Sequence, residues 1–284
     1  MTVMAAGVGI LEQNPIGDRT GISGPPAFRP APRPERLARC LQPAGAVLAA
    51  ASFAFSPGVA AAVIASGWLL VCGLLTLSGM LRMLRPGYRS LEQLCFAIAL
   101  VYITIGGVAL VLSRLGASPM QFSETIILLT AVHFHYAGFV LPIAAGATGG
   151  AVQAHLSWPR HVFRPVAYGI VVTPAVLAAG WVLASAEVKV LAALSLAASA
   201  VVLACLTLMI LPQIQPRLSQ ILLLVSALSL LAGMALAGVY ALGEFTGRHR
   251  LLIPQMAQLH GTVNALGFSL CGMLGWHLRR CEDS

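Results

Sequence analysis

A chain of 284 residues that is 58% hydrophobic and only 9% charged is not an ordinary soluble globule, in which about a quarter of the residues carry charge. The same figures exclude a disordered protein and a nucleic-acid-binding domain, each of which needs more ionisable side chains. The formal charge of +8 comes from 17 basic residues against 9 acidic ones, and in a polytopic membrane protein that excess reads as topology.

Residues 1–40 form a segment of their own, rich in proline (Pro15, Pro25, Pro26, Pro30, Pro32, Pro34) and arginine. Such a stretch buries too little apolar area to offset chain entropy, so it predicts a disordered cytoplasmic tail that turns helical near Glu35. Met1 to Leu11 has neither the basic start nor the apolar block of a secretory signal. The remainder, 41–284, reads as one all-α transmembrane domain. A helix needs about 20 apolar residues to cross the hydrocarbon, and apolar runs at roughly 41–55, 58–81, 91–113, 122–147, 165–185, 188–211, 218–243 and 255–278 predict about eight spans. The first is short, and Ser56-Pro57-Gly58 turns it directly into the second. With both termini cytoplasmic, thirteen arginines fall on the inner side and only Arg114, Lys189, Arg248 and Arg250 on the outer side, the bias of a multi-pass protein of the bacterial inner membrane. Spans five to eight start 124, 130, 127 and 133 residues after spans one to four, which raises a parallel 4+4 repeat related by an axis along the membrane normal. The six cysteines form no C-x-x-C pair, and four of them lie in apolar runs as small packing groups.

Ionisable and polar groups at membrane depth are costly, about 2.5 to 3.5 kcal/mol each on insertion scales, and therefore face a bundle interior or a wet cavity. Span four carries Glu124, then His133, His135 and Tyr136, followed by Gly138 and Pro142. On a regular helix His133 and His135 project about 200° apart, so they serve one ion only if Gly138 and Pro142 distort the backbone. Proline at 142 removes the amide that would bond the carbonyl of Gly138. In span eight His260, Asn264, Gly267 and Cys271 follow at intervals of four, three and four, one helical stripe. If both spans begin on the outer side, His133 lies about 16 Å deep and Asn264 about 13 Å deep, so the two stretches can meet. Tyr240 and Glu244, at the outer end of span seven, would line an approach to them. His277 and the tryptophans Trp158, Trp181 and Trp276 fit interfacial positions.

The segments Thr130-Ala131-Val132-His133-Phe134-His135-Tyr136-Ala137-Gly138-Phe139 and His260-Gly261-Thr262-Val263-Asn264-Ala265-Leu266-Gly267-Phe268 resemble the YndJ-like family of bacterial integral membrane proteins. The resemblance covers about 40–280 and rests on His133, His135, Tyr136, Gly138, Phe139, His260, Asn264, Gly267 and Phe268. It implies a transporter-like protein and brings no substrate or catalytic residue with it.

Three functions stay open on the residues. The first is a carrier in which His133, His135, Tyr136, His260, Asn264, Tyr240, Glu244 and Glu124 line a site for a small solute or ion. The second is a membrane-embedded enzyme acting on a lipid or isoprenoid-like compound, with His133, His135 and His260 binding a divalent transition metal or moving protons. The third is a scaffold or sensor in which the polar groups only fix helix pairing. The lipid bilayer is the expected partner, with a small molecule or lipid as ligand and no nucleic acid.

Overall fold

The computed structural model describes residues 32–85, 87–88, 90–155, 160–248 and 251–281. The disorder expected for the first 31 residues, Trp158 and Arg250 lie outside the described residues. All described elements are helical, and eight helices follow one another. They are α1 (Arg33–Ala51), α2 (Val59–Met83), α3 (Leu91–Leu115), α4, α5 (Arg160–Val182), α6 (Ala186–Ile210), α7 (Arg217–Thr246) and α8. Both α4 and α8 are built in three pieces. α4 is α-helical over Glu124–His135, widens to a π-helix over Tyr136–Val140, and resumes over Leu141–His155. α8 repeats the pattern over Ile253–Thr262, Val263–Cys271 and Gly272–Cys281. This is the polytopic all-α bundle that composition dictates. Seven helices, α1 to α7, are long and apolar enough to cross a membrane. α8 is not among them, because Gln255, Gln258, His260 and Asn264 dilute the apolar content of its first half.

The first span is not short. It runs over Arg33–Ala54, so the boundary expected at residue 40 falls inside α1. The cause is a buried ion cluster. Glu35 is fully buried, and its carboxylate accepts from Arg39 at 2.9 Å, from Arg82 of α2 at 2.6 Å and from Ser78 at 3.1 Å. Two guanidiniums around one carboxylate fasten the first turns of α1 onto the end of α2. Tyr88, in the loop after α2, sits beside this cluster. Burial pushes its phenol above the usual tyrosine range against the opposing pull of Arg82, and its hydroxyl donates to the Gln93 carbonyl. At the other end of the same hairpin, buried Arg114 donates to the Phe55 carbonyl at 2.8 Å and lies 4.6 Å from the centre of the Phe53 ring. The carbonyl of Arg114 accepts from the Gly58 amide at 2.8 Å.

Local signals start and stop the helices where the chain must turn. Ser90 and Gln93 cap the start of α3 reciprocally, and Ser123 and Ser185 cap α4 and α6. Gly116 ends α3 with φ of 74°, a left-handed conformation that glycine adopts without strain. Helices pack serially, α1 on α2, α2 on α3 and α3 on α4, then α5 on α6, α6 on α7 and α7 on α8. The two groups of four meet where Leu141–His155 lies against α5, α6 and the last part of α8, and where the two π segments touch. Equivalent elements of the groups keep a nearly constant offset. α1 and α5 begin 127 residues apart, as do α2 and α6 and the two π segments, while α3 and α7 begin 126 apart.

Candidate functional site

The π segments shape the region between α4 and α8. Because Pro142 has no amide, the α-helical ladder cannot continue through the Gly138 carbonyl. The backbone steps wider instead, and the Leu141 amide bonds the Tyr136 carbonyl five residues back. In α8 the same widening puts residues five apart on one face. Gly267 and Gly272 both meet α7, at Ser229 and Ser226. The regular stripe His260, Asn264, Gly267, Cys271 is therefore replaced by a buried set of Asn264, Phe268, Ser269, Met273 and Trp276, with Gly267 and Cys271 only half-buried. Trp276 is 1% exposed and belongs to the core, not to an interface, for the same reason. Its neighbour Arg279 lies 5.5 Å from its ring centre and also donates to His155 at 3.3 Å.

Ser226 donates to the Phe268 carbonyl at 2.8 Å, and Ser219 donates to the Gly275 carbonyl. These hydroxyls satisfy carbonyls along the widened helix. Ser226→Ala is expected to lower stability by about 1 kcal/mol, the scale of one interhelical hydrogen bond, read as a small fall in the midpoint of thermal unfolding in detergent.

The histidines have distinct surroundings. His135 is engaged at both nitrogens. Its Nδ1 donates to the Ala131 carbonyl at 2.7 Å, and its Nε2 accepts from the Trp68 indole at 2.8 Å. The two rings are nearly parallel, at 24°, with centres 5.8 Å apart. Gly106 of α3 gives the imidazole its space, since a Cβ there would stand 2.6 Å from Nδ1. His133 donates from Nδ1 to the Leu129 carbonyl of its own helix at 2.9 Å. Its side chain is otherwise exposed. His260 donates from Nδ1 to the Gly233 carbonyl of α7 at 2.9 Å, and Asn264 donates to the His260 carbonyl at 2.8 Å. Asn264 is buried and lies flat on Gly233, where a Cβ would stand 2.6 Å from its amide nitrogen.

The other site residues predicted from the sequence divide. Tyr136 opens the π segment of α4, half-buried and packed against the core. Tyr240 and Glu244, one turn apart on α7, both line a cavity of about 410 Å³ with Leu251, Leu252, Ile253 and Pro254. Tyr240 stands seven residues along α7 from Gly233, about 10 Å toward the end of the bundle. Glu124 is exposed in the first turn of α4, about 14 Å along the axis before His133, and is not brought to the histidines. Among the described residues no three His, Cys, Asp or Glu side chains gather into a metal-binding group. The set of His133, His135 and His260 considered as ligands is not assembled, because His135 has no lone pair left. Trp68 and Gly233 are the partners that the sequence reading missed. A tryptophan in mid-span, away from both interfaces, was the available signal for the first. For the second it was Gly106 and Gly233 recurring at the 127-residue spacing of His133 and His260.

The sequence profile of the YndJ-like protein family matches residues 22–268, a range that takes in both histidine segments. The uncharacterized membrane protein YndJ of Bacillus subtilis (strain 168) is 30% identical over 217 residues, covering 76% of this chain and 38% of the relative. The chain thus spans well under half the length of that relative. No solved structure matches.

Proposed function

The chain belongs to the YndJ-like protein family, and from that premise we propose that this multi-pass membrane protein is a carrier that binds a small solute or ion in a crevice between α4 and α8. Relative movement of its two four-helix groups would pass the solute across the bilayer. The observation that carries this reading is the pair His133 and His260. They stand 127 residues apart on corresponding helices, beside π segments that touch, and neither Nε2 takes a hydrogen bond among the described residues. Imidazoles at membrane depth with an unused nitrogen are more than helix packing needs. His135 and Asn264, by contrast, are engaged by the protein and hold helices together.

The near-constant offset supports a parallel duplication, in which the ligand site lies where the two copies of the fourth helix meet. π segments inside otherwise regular helices recur at functional positions, and here they supply the two flexible points about which α4 and α8 can bend. Placement in a bacterial inner membrane with both termini cytoplasmic is supported by charge. Arg36, Arg82, Arg85, Arg217 and Arg279 lie at one end of the helices, with Arg114, Lys189 and Arg248 at the other. This orientation includes α8 as a crossing helix.

Thiol labelling tests the crevice. In a background with all native cysteines replaced, His133→Cys and His260→Cys are expected to react from the outer face of proteoliposomes with a small membrane-impermeant reagent. Ala145→Cys, at a fully buried position, is expected to stay unlabelled. If both crevice positions are as inert as position 145 in protein that elutes as a folded species, the carrier reading fails.

A further inference from the structure

The outward face of α8 differs from that of its neighbour α7. Between Leu218 and Leu242 the exposed positions of α7 are Leu, Ile, Val and Ala alone, the surface that hydrocarbon requires. On α8 the exposed positions include Gln255, Gln258 and Thr262, which with Leu259 and Leu266 recur at helical spacing and make one face. That face turns away from α7. His260, which bonds the Gly233 carbonyl of α7, lies two residues from both Gln258 and Thr262 and so projects about 200° from each. The same bond sets the depth. Gly233 stands near the middle of α7 (Arg217–Thr246), eleven residues and about 16 Å along the axis from Glu244 at its outer end. Gln258 and Thr262 lie within about 3 Å of the level of His260, which puts both at hydrocarbon depth.

Gln255, nearer the outer end, is partly used, since its Oε1 accepts from the Leu252 amide at 2.9 Å. The side-chain amide of Gln258 makes no hydrogen bond among the described residues, and a primary amide left bare in hydrocarbon costs several kcal/mol. Its surroundings say what would satisfy it. Ile253–Thr262 contains no Asp, Glu, Lys or Arg, so the face does not select a charged partner. An amide donates through nitrogen and accepts through oxygen, which makes it its own complement. Membrane sidedness makes α8 run the same way in every copy of the chain, so a two-fold axis along the membrane normal sets two α8 helices side by side in parallel, each residue against its counterpart. A Cβ at Gly261, between Gln258 and Thr262, would meet nothing within 4 Å, and the missing side chain lets a second helix come close at that level.

We propose that this face of α8 is an interface between two copies of the chain, in which Gln258 bonds its counterpart and Thr262 lies against its counterpart across a two-fold axis in the membrane. The proposal stands apart from the carrier reading, because His260 and Asn264 face α7 and take no part in the contact. It also accounts for the polar content of a crossing helix: one set of polar side chains is used inside the chain, against α7, and the other between chains.

The test is the oligomeric state of the full chain and the face that mediates it. In a background with all native cysteines replaced, Gln258→Cys and Thr262→Cys are expected to give disulfide-linked dimers when proteoliposomes are oxidised with copper phenanthroline. Leu228→Cys, on the exposed face of α7, is expected to give none. Light scattering of the unmodified chain in mild detergent is expected to report two chains per particle. The double variant Gln258→Leu with Thr262→Val is expected to dissociate at a concentration about tenfold higher, the scale of one or two interhelical hydrogen bonds, while still eluting as a folded species. A monomer at every concentration, equal cross-linking through position 228, or unchanged dissociation of the double variant overturns the proposal. Reaction of Gln258→Cys with a membrane-impermeant thiol reagent also overturns it, since the face would then line water. A monomer that still labels at positions 133 and 260 removes the second copy and leaves the carrier reading standing; a dimer that does not label there does the reverse.

Discussion

Gly106→Val is expected to destabilise the protein by about 3 to 5 kcal/mol. A Cβ at this position would stand 2.6 Å from Nδ1 and 2.9 Å from Cε1 of His135, and 3.0 Å from the Ala131 carbonyl. None of these atoms can withdraw freely, because the ring is held at both nitrogens and the carbonyl belongs to a helix. Overpacking alone costs about 1 to 3 kcal/mol. Displacing the ring also removes the bonds to Ala131 and Trp68, at about 1 kcal/mol each. Thermal unfolding in detergent, followed by far-ultraviolet circular dichroism, measures the effect. In a Trp68→Phe background the penalty is expected to shrink, because one of the two restraints on the ring is already gone. An unchanged unfolding midpoint for Gly106→Val would mean that α3 and α4 do not approach as described.

The second large effect is expected at Glu35→Ala. Removing the carboxylate leaves Arg39 and Arg82 facing each other in a mostly buried cluster, and breaking a buried ion pair from one side costs about 3 to 5 kcal/mol. Arg39 is 26% exposed, so part of its charge is screened by solvent and the lower half of that range applies. The double variant Glu35→Ala with Arg82→Met is expected to be less destabilised than the two single losses together, since the second change removes the uncompensated charge. Additive losses in chemical unfolding would show that Glu35 and Arg82 do not depend on one another.

The architecture was readable in the sequence because hydropathy acts over about twenty residues at a time. Seven of the expected spans appear as helices long and apolar enough to cross a membrane, and the histidine segments lie on the expected fourth and eighth helices. Which way a given side chain points was not readable where the helix repeat changes. Counting at 3.6 residues per turn put Gly267 and Cys271 in line with His260, whereas the π segment turns Phe268 and Met273 inward. Pro142 signalled a break in α4, yet nothing in α8 comparable to a proline announced the longer π segment there. Glu35 was hidden by its neighbourhood. A single acid at the edge of a proline- and arginine-rich stretch looks solvated, and only the return of α2 brings Arg82 and Ser78 to it.

The two candidate rings are tethered differently. His133 is tied to Leu129 within α4, so it travels with that helix. His260 is tied to Gly233 of α7, and the Ser219 and Ser226 bonds tie the same two helices further along. A shift of α4 against α7 and α8 would therefore carry His133 with it and leave His260 behind.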